Sequence, residues 1–353
     1  MFGSKKAIVG IDIGASAVKV VQFKESKSGY TLKALDLEPL PSEAVVDSSI
    51  MDSSAVVQAI RDLVERNSIG KNAEVAIAVS GHAVIIRKIS LPLMTEDELD
   101  ASIQWEAEQY IPFDIADVYL DYQIIGPDPA DQGQMEVILI AARREFVNEY
   151  TGVIRESGLT PVVVDVGNFA VENIYCALYT EEMLDVVALI DIGASGAQLN
   201  VLKDNISAFT REIQIGGDSF NEELQKRFGL SNEDAEMLKI NGSYEGVDAD
   251  EARGVIEQVM DNLVQELSRA LDFFSASFND EKVTKVYLTG GVCLTSGLLE
   301  RFEQVLDIPV ALLDPFSRVN VKESDFDLEF VKSSAPFYAV AAGLATRKFG
   351  DKL

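Results

Sequence analysis

Apolar residues recur along this chain at two spacings, every second residue or every third to fourth, and the switches between them mark out the elements. Ala7 to Gly10 and Val18 to Phe23 read as two strands around a short Gly/Ser turn, hence a hairpin. Tyr30 to Leu40 adds a β-like stretch closed by Pro39 and Pro41. From Ser53 onward, Val56, Ile60, Leu63 and Val64 share one helix face, and Gly70 is a stop signal. Glu74 to Val79 alternates as a strand ending at Ser80-Gly81. This strand–helix–strand rhythm predicts an α/β fold, a mixed sheet covered by helices.

Residues 84–160 follow a different rhythm. Val84 to Leu91 is a strand ended by Pro92, and Thr95-Glu96-Asp97-Glu98 has the capping-box pattern that opens a helix. Along that helix Leu99, Ile103, Ala107 and Tyr110 share a face, while Trp105 points away from it. Strands at Val118 to Ile125 and Met135 to Ala142 and a helix from Arg144 to Ser157 complete a small α+β module. The chain then returns through Val162 to Asp165, a helix from Asn168 to Leu178, and a second hairpin starting at Val186. Helices are predicted at Phe220 to Phe228, around Glu233 to Ile240, over Asp248 to Asn279, from near Gly297, and over 335–349. Val286 to Thr289 is a buried-type strand that runs into Gly290-Gly291.

The two hairpins carry the same hexapeptide. Ile11-Asp12-Ile13-Gly14-Ala15-Ser16 recurs half a chain later as Ile190-Asp191-Ile192-Gly193-Ala194-Ser195. Gly14 and Gly193 can take positive φ, so that backbone N–H groups of Gly, Ala and Ser converge on an anion such as phosphate. Asp12 and Asp191, each at a strand end, suit a hard cation that also bridges phosphate oxygens, Mg²⁺ being the usual one. Two ordinary hairpins with shared turn chemistry would not be expected to repeat six residues with the acid at the same point.

Composition narrows the chemistry. The chain has 353 residues, 30 Lys plus Arg against 58 Asp plus Glu, and a net charge of −28, which repels nucleic-acid backbones and anionic lipid. Any nucleotide therefore has to be held by a local Lys, backbone amides and metal. His82 is the only histidine and Cys176 and Cys293 the only cysteines, which disfavours a His-based zinc site, a Ser-His-Asp triad and a disulfide framework. No signal-peptide pattern precedes the first strand and no apolar run approaches the roughly 20 residues of a membrane span, so a cytoplasmic protein is expected.

Taken together, five blocks stand in the order of the actin-like ATPase superfamily: Asp12 through Lys19, the helix at 168–178, Asp191-Ile192-Gly193, Leu288-Thr289-Gly290-Gly291, and the helix at 335–349. The resemblance implies two ribonuclease-H-like domains facing a cleft that holds ATP with Mg²⁺. The first domain would comprise residues 1–83, 161–184 and 335–353, and the second 185–334, with a helical subdomain at about 216–280. It implies that Gly14, Ala15, Ser16, Lys19, Gly193, Ala194, Ser195, Gly216 and Gly217 surround the phosphates. Glu236, Lys239, Gly290 and Gly291 would lie beside ribose and base, with Asp12 and Asp191 on the metal. Lys19 stands seven residues after Asp12; Gln198 stands seven after Asp191, where actins carry a water-organising His. Gln can orient water but cannot act as a base near neutral pH. Asp165 and Asn168 both lie near the superfamily's other water-positioning residue, and any hydrolysis should be slow.

The module at 84–160 is similar to the subdomain of the FtsA/PilM branch, and Gln104 through Asp114 resembles PilM in particular. No amphipathic tail of the FtsA kind follows the last predicted helix. This resemblance implies a type IV pilus assembly protein that binds the cytoplasmic N-terminal peptide of a PilN-like inner-membrane protein in a groove of the module. It would thus sit at the inner face of that membrane without inserting into it, alongside other pilus assembly proteins, with self-association left open. Trp105 is either a groove residue or packed on a strand of its own module. The alternatives are an FtsA-like filament-forming protein and a sugar-kinase-like phosphotransferase.

Overall fold

Two five-stranded sheets share one topology, and the chain visits their strands in the same order. The computed structural model describes residues 7–27, 29–128, 131–179, 186–278 and 280–351; expectations for Met1 to Lys6, for 180–184, for Asn279 and for Lys352-Leu353 lie outside them. In the first half, β1 (Val9–Ile13), β2 (Ala17–Ser26) and β3 (Gly29–Pro39) lead through a two-residue ribbon, β4 (Val45–Val46) with β5 (Ser49–Ile50), to α1 (Ser53–Arg66) and β6 (Glu74–Val79). The module follows as β7 (Val84–Pro92), α2 (Glu96–Ala107), β8 (Val118–Pro127) and β9 (Gln134–Arg143). Then come α3 (Arg144–Glu156), β10 (Thr160–Val166) and α4 (Gly167–Leu178). The second half runs β11 (Val186–Ile192), β12 (Ala197–Lys203), β13 (Ile206–Ile213), α5 (Gly217–Phe228), α6 (Asn232–Asn241), α7 (Ala249–Ser277) and β14 (Lys285–Thr289). It ends with α8 (Leu298–Leu306), β15 (Val310–Leu312), α9 (Leu328–Ser334) and α10 (Ala339–Ala345). Sheet orders are β10-β6-β1-β2-β3 and β13-β12-β11-β14-β15, with a separate β7-β9-β8 sheet in the module.

Local chemistry sets these elements. Asp52 caps α1 by accepting from the Ala55 N–H at 3.0 Å, a cap of about 1 kcal/mol. The helix buries Val56, Val57, Ala59, Ile60 and Leu63 against the first sheet, each large side chain contributing roughly 1.5–3 kcal/mol. Thr95 and Glu98 form the predicted capping box of α2. That helix ends at Ala107, so Tyr110 does not continue its packed face and is exposed. The predicted 335–349 helix is shorter and interrupted. Pro336 lies in a 3₁₀ turn over Ala335–Tyr338, and α10 covers only Ala339–Ala345.

Five layers result. α1 and α3 cover the outer face of the first sheet, and α7 and α8 that of the second. Between the sheets lie α4 and α10, which share one core with Phe23 and Leu32 on one side and Val187, Leu189 and Tyr287 on the other. This packing demands small residues. A Cβ on Gly343 would stand 1.7 Å from the Ala170 oxygen, and one on Gly10 would stand 2.0 Å from the Ala341 oxygen. The module keeps its own core around Leu99, Ile103, Val137 and Leu139. In contrast, α3 sends Phe146, Tyr150 and Ile154 into the core of the first sheet, although its sequence position suggested the module.

Candidate functional site

Hairpin register decides what faces each aspartate. In the first hairpin Asp12 pairs across with Lys19; in the second Asp191 pairs with Gln198. The Lys19 ammonium lies 2.9 Å from the Asp12 carboxylate, with both side chains 16% exposed. Burial works against charge on Lys19, but Asp12, by attraction and a hydrogen bond, and Asp191 outweigh it and raise its pKa. Asp191 is pushed up to about 6, chiefly by burial, with Lys19 opposing and Asp12 adding to the shift. One ammonium thus serves two carboxylates in a largely dehydrated space.

The turns differ from expectation in one respect. Neither Gly14 nor Gly193 has positive φ. Their N–H groups close the turns onto the Ala17 oxygen at 3.1 Å and the Gly196 oxygen at 2.9 Å, which leaves Ala15, Ser16, Ala194 and Ser195 at the turn tips. A Cβ on Gly14 would stand 3.3 Å from the Ala17 oxygen, a tight approach, and 3.7 Å from the Lys19 nitrogen, an ordinary contact. The second hairpin also anchors α5, since the Gly217 and Asp218 N–H groups donate to the Gly193 and Ala194 oxygens at 3.0 and 2.9 Å. Gly216 tolerates no side chain, because a Cβ would meet the Ala194 oxygen at 2.3 Å.

Gly290 and Gly291 close the far wall. Gly290 has φ +87°, and a Cβ on it would lie 2.6 Å from an Asp191 oxygen. Its N–H and the Thr289 hydroxyl both donate to the Pro336 carbonyl, at 3.0 and 2.7 Å, so the 3₁₀ turn that leads into α10 sets this wall. A Cβ on Gly291 would press on Phe337 at 2.8 Å. On α6, Lys239 is not a solvated surface charge. Its side chain is 8% exposed, pairs with Glu236 at 2.6 Å and reaches the Gly217 oxygen at 3.4 Å. Asn221 donates to Glu236 at 2.7 Å, a support that no local sequence signal announces.

Asp165 and Asn168 have different surroundings. Asp165 is buried against Arg347 at 3.2 Å, with Asn173 and the Val166 N–H as further donors; burial raises its pKa and Arg347 opposes this. That accounts for Asp165 as an internal ion pair and takes it away from Gln198. Asn168 instead shares a cavity of about 170 Å³ with Gln198, Ser80 and Glu212. Nearby, Glu172 of α4 accepts from Asn200 at 3.0 Å, and Asn200 accepts from Ser207 at 2.7 Å. Burial pushes Glu172 up to about 7, with the hydrogen bonds that it accepts from Asn200 and from the Ser207 backbone opposing.

In the module, Trp105 is 74% exposed, so packing onto its own sheet is excluded. Leu93, between β7 and α2, is exposed as well. Where the module meets α3, a second cavity of about 610 Å³ is lined by Ser49, His82, Arg143, Phe146 and Glu149 among others. Among the described residues, no helix is long and apolar enough to cross a membrane, and no group of three or more His, Cys, Asp or Glu could hold a metal.

Comparisons with known proteins bear on the fold and the family. A solved PilM-PilN type IV pilus biogenesis complex is similar with TM-score 0.86 and 32% identity, covering 97% of this chain and 98% of that one. Cell division protein FtsA of Neisseria meningitidis serogroup B is 22% identical over 342 residues, 85% of this chain and 82% of that protein. MreB 5 of Spiroplasma citri bound to AMPPNP, at 13% identity and TM-score 0.53, covers 96% of this chain and 95% of its own and shares the actin-like fold. A family model described as type IV pilus assembly protein PilM matches residues 10–349. The paired hairpins, the central helices and the inserted module together are those of an actin-like ATPase fold, and the chain belongs to the type IV pilus assembly protein PilM family.

Proposed function

We propose that this protein is an ATP-binding scaffold of type IV pilus assembly that holds the cytoplasmic N-terminal peptide of a PilN-like inner-membrane protein. The observation that carries the nucleotide half is the Asp12–Lys19 pair with Asp191 beside it, one cation among two buried carboxylates. This imbalance fits Mg²⁺, which keeps several waters and needs only one or two protein carboxylates beside nucleotide phosphates. Asp12 and Asp191 would hold the metal, Lys19 and the turns at 14–16 and 193–195 the phosphates, and Gly216, Gly217, Glu236, Lys239, Gly290 and Gly291 the rest of the nucleotide. Bound Mg-ATP would supply the charge that these groups are arranged to meet. Of the two water-positioning candidates Asn168 has the better support, because it shares the cavity with Gln198 while Asp165 is committed to Arg347. With no base in that pair, turnover is expected to be slow.

The partner half rests on the likeness to the PilM-PilN complex and on charge. Cytoplasmic segments beside a membrane span carry an excess of Lys and Arg. A chain of net charge −28 complements them. The module at 84–143, excluding α3, would receive the peptide where it joins the first half, near the cavity beside His82 and Phe146. The protein would then lie at the cytoplasmic face through its partner. Titration with a PilN-type N-terminal peptide, with and without Mg-ATP, tests this through Trp105 fluorescence or calorimetry. Binding in the micromolar range is expected; no binding in either state would sink the scaffold reading. ATP-dependent sedimentation of polymers would favour the FtsA-like alternative.

A further inference from the structure

The cavity that Asn168 and Gln198 share beside the nucleotide cleft has two further walls that the nucleotide does not explain. It is bounded by Ile85, Ile86 and Arg87 of β7, by Thr210, Arg211 and Glu212 of β13, and by Ser80, Asn168 and Gln198 at its floor. β7 belongs to the module and β13 is the edge strand of the second half, so the cavity lies where they pack together. Asp12, Lys19 and Asp191 do not line it. In a chain with 58 acids to 30 bases, arginines find partners easily. Yet Arg87 and Arg211 alone, of the arginines among the described residues, have no hydrogen bond, ion pair or ring partner. Both line this one cavity.

We propose that this cavity binds a small oxyanion of the inorganic-phosphate type, gripped between Arg87 and Arg211. A guanidinium fork suits two oxygens of a tetrahedral anion, and two forks from opposite walls would hold it bidentately from both sides. The Ser80 and Thr210 hydroxyls and the Asn168 and Gln198 amides supply neutral donors around it. One carboxylate, Glu212, also faces the cavity. It is hydrogen-bonded by Gln198 and lies beside His82, which leaves the two guanidinium groups in excess. The volume of about 170 Å³ corresponds to roughly five or six waters at about 30 Å³ each, room for a four-oxygen anion and a hydrating water. Since one arginine comes from the module and the other from the second half, the bound anion ties these two parts together.

The site does not depend on the nucleotide reading and is tested without nucleotide. The full chain is titrated with sodium phosphate against sodium chloride at matched ionic strength, following the melting temperature and the ³¹P line width. Saturable stabilisation by millimolar phosphate is expected, weakened at least tenfold in Arg87→Gln and in Arg211→Gln. Arg211→Lys, which keeps the charge but loses the fork, should fall between. Both arginines are exposed, so the variants should fold, and an unchanged far-ultraviolet circular dichroism spectrum checks this. Stabilisation that follows ionic strength alone, or phosphate binding unchanged in both Gln variants, would overturn the proposal. Repeating the titration with Mg-ADP present separates the sources. Undiminished affinity leaves the site open to phosphate released beside bound ADP, and lost affinity limits it to phosphate taken from solution by the nucleotide-free chain.

Discussion

The two halves share one strand order and differ in where the chain is elaborated. In the first, the connection from third to fourth strand is a ribbon and α1, while that from fourth to fifth carries the module. In the second the long insertion comes one connection earlier, as α5, α6 and α7, and the fourth strand reaches the fifth through little more than α8. The hairpins at the heart of both halves keep the same six residues, yet Asp12 faces a lysine and Asp191 a glutamine. The repeat thus keeps the turn and divides the labour. One hairpin carries the cation, and the other gains a carboxylate whose charge is poorly compensated.

Removing each cross-strand partner tests this division most strongly. Lys19→Ala leaves two buried carboxylates unpaired and should cost about 3 kcal/mol of stability, as for one member of a buried pair, together with most nucleotide affinity. Gln198→Ala should stay within about 0.5 kcal/mol. Urea denaturation of both variants decides the matter, and equal losses would erase the asymmetry.

A second test uses pH. Asp191 has a folded pKa of about 6 against an ordinary value of 3.8, so the native state holds its proton more tightly than the unfolded chain does. Its contribution therefore favours the native state below pH 4 and is lost as pH rises from about 4 to 6, a swing of about 3 kcal/mol. Asp191→Asn should lack that swing, be about 2–3 kcal/mol more stable than wild type at pH 7.5 without nucleotide, and bind Mg-ATP poorly. Denaturation curves at pH 4.5 and 7.5 check the sign; a wild type that gains stability across this window from Asp191 would contradict it.

The smallest expected effect lies in the part with no counterpart in the other half. Trp105→Ala should change stability by less than about 0.5 kcal/mol, since the side chain is 74% exposed. Because Trp105 is the only tryptophan, wild-type emission should be red-shifted and open to iodide quenching. A blue-shifted, protected spectrum would show that α2 is covered in the isolated chain.

The hairpins were legible because alternation and an exact repeat survive in sequence, and register then puts Lys19 opposite Asp12 without further information. The α2 start was legible because a capping box is local. β13 is not announced by alternation, because the apolar residues of Ile206–Ile213 (Ile206, Ala208, Phe209 and Ile213) keep no two-residue spacing around Thr210, Arg211 and Glu212, and β15 is not, because three residues carry no period. α10 was overextended since Ala and Gly give no amphipathic signal, and Pro336 turned its predicted first turn into 3₁₀. The Asp165–Arg347 pair joins distant segments, and α3 was assigned to the module because sequence adjacency says nothing about which sheet a helix covers.

The contact of Gly343 with Ala170 has a mechanical consequence. Backbone meets backbone there with no side chain between, so the crossing of α4 and α10 has no radial slack. The halves cannot approach further along that line, but they can roll about it. Any closing of the cleft is then a rotation with its fulcrum at this crossing. Displacement is least at the fulcrum and grows with distance from it, toward contacts between the halves such as Asn232 with Ser42 at 3.4 Å.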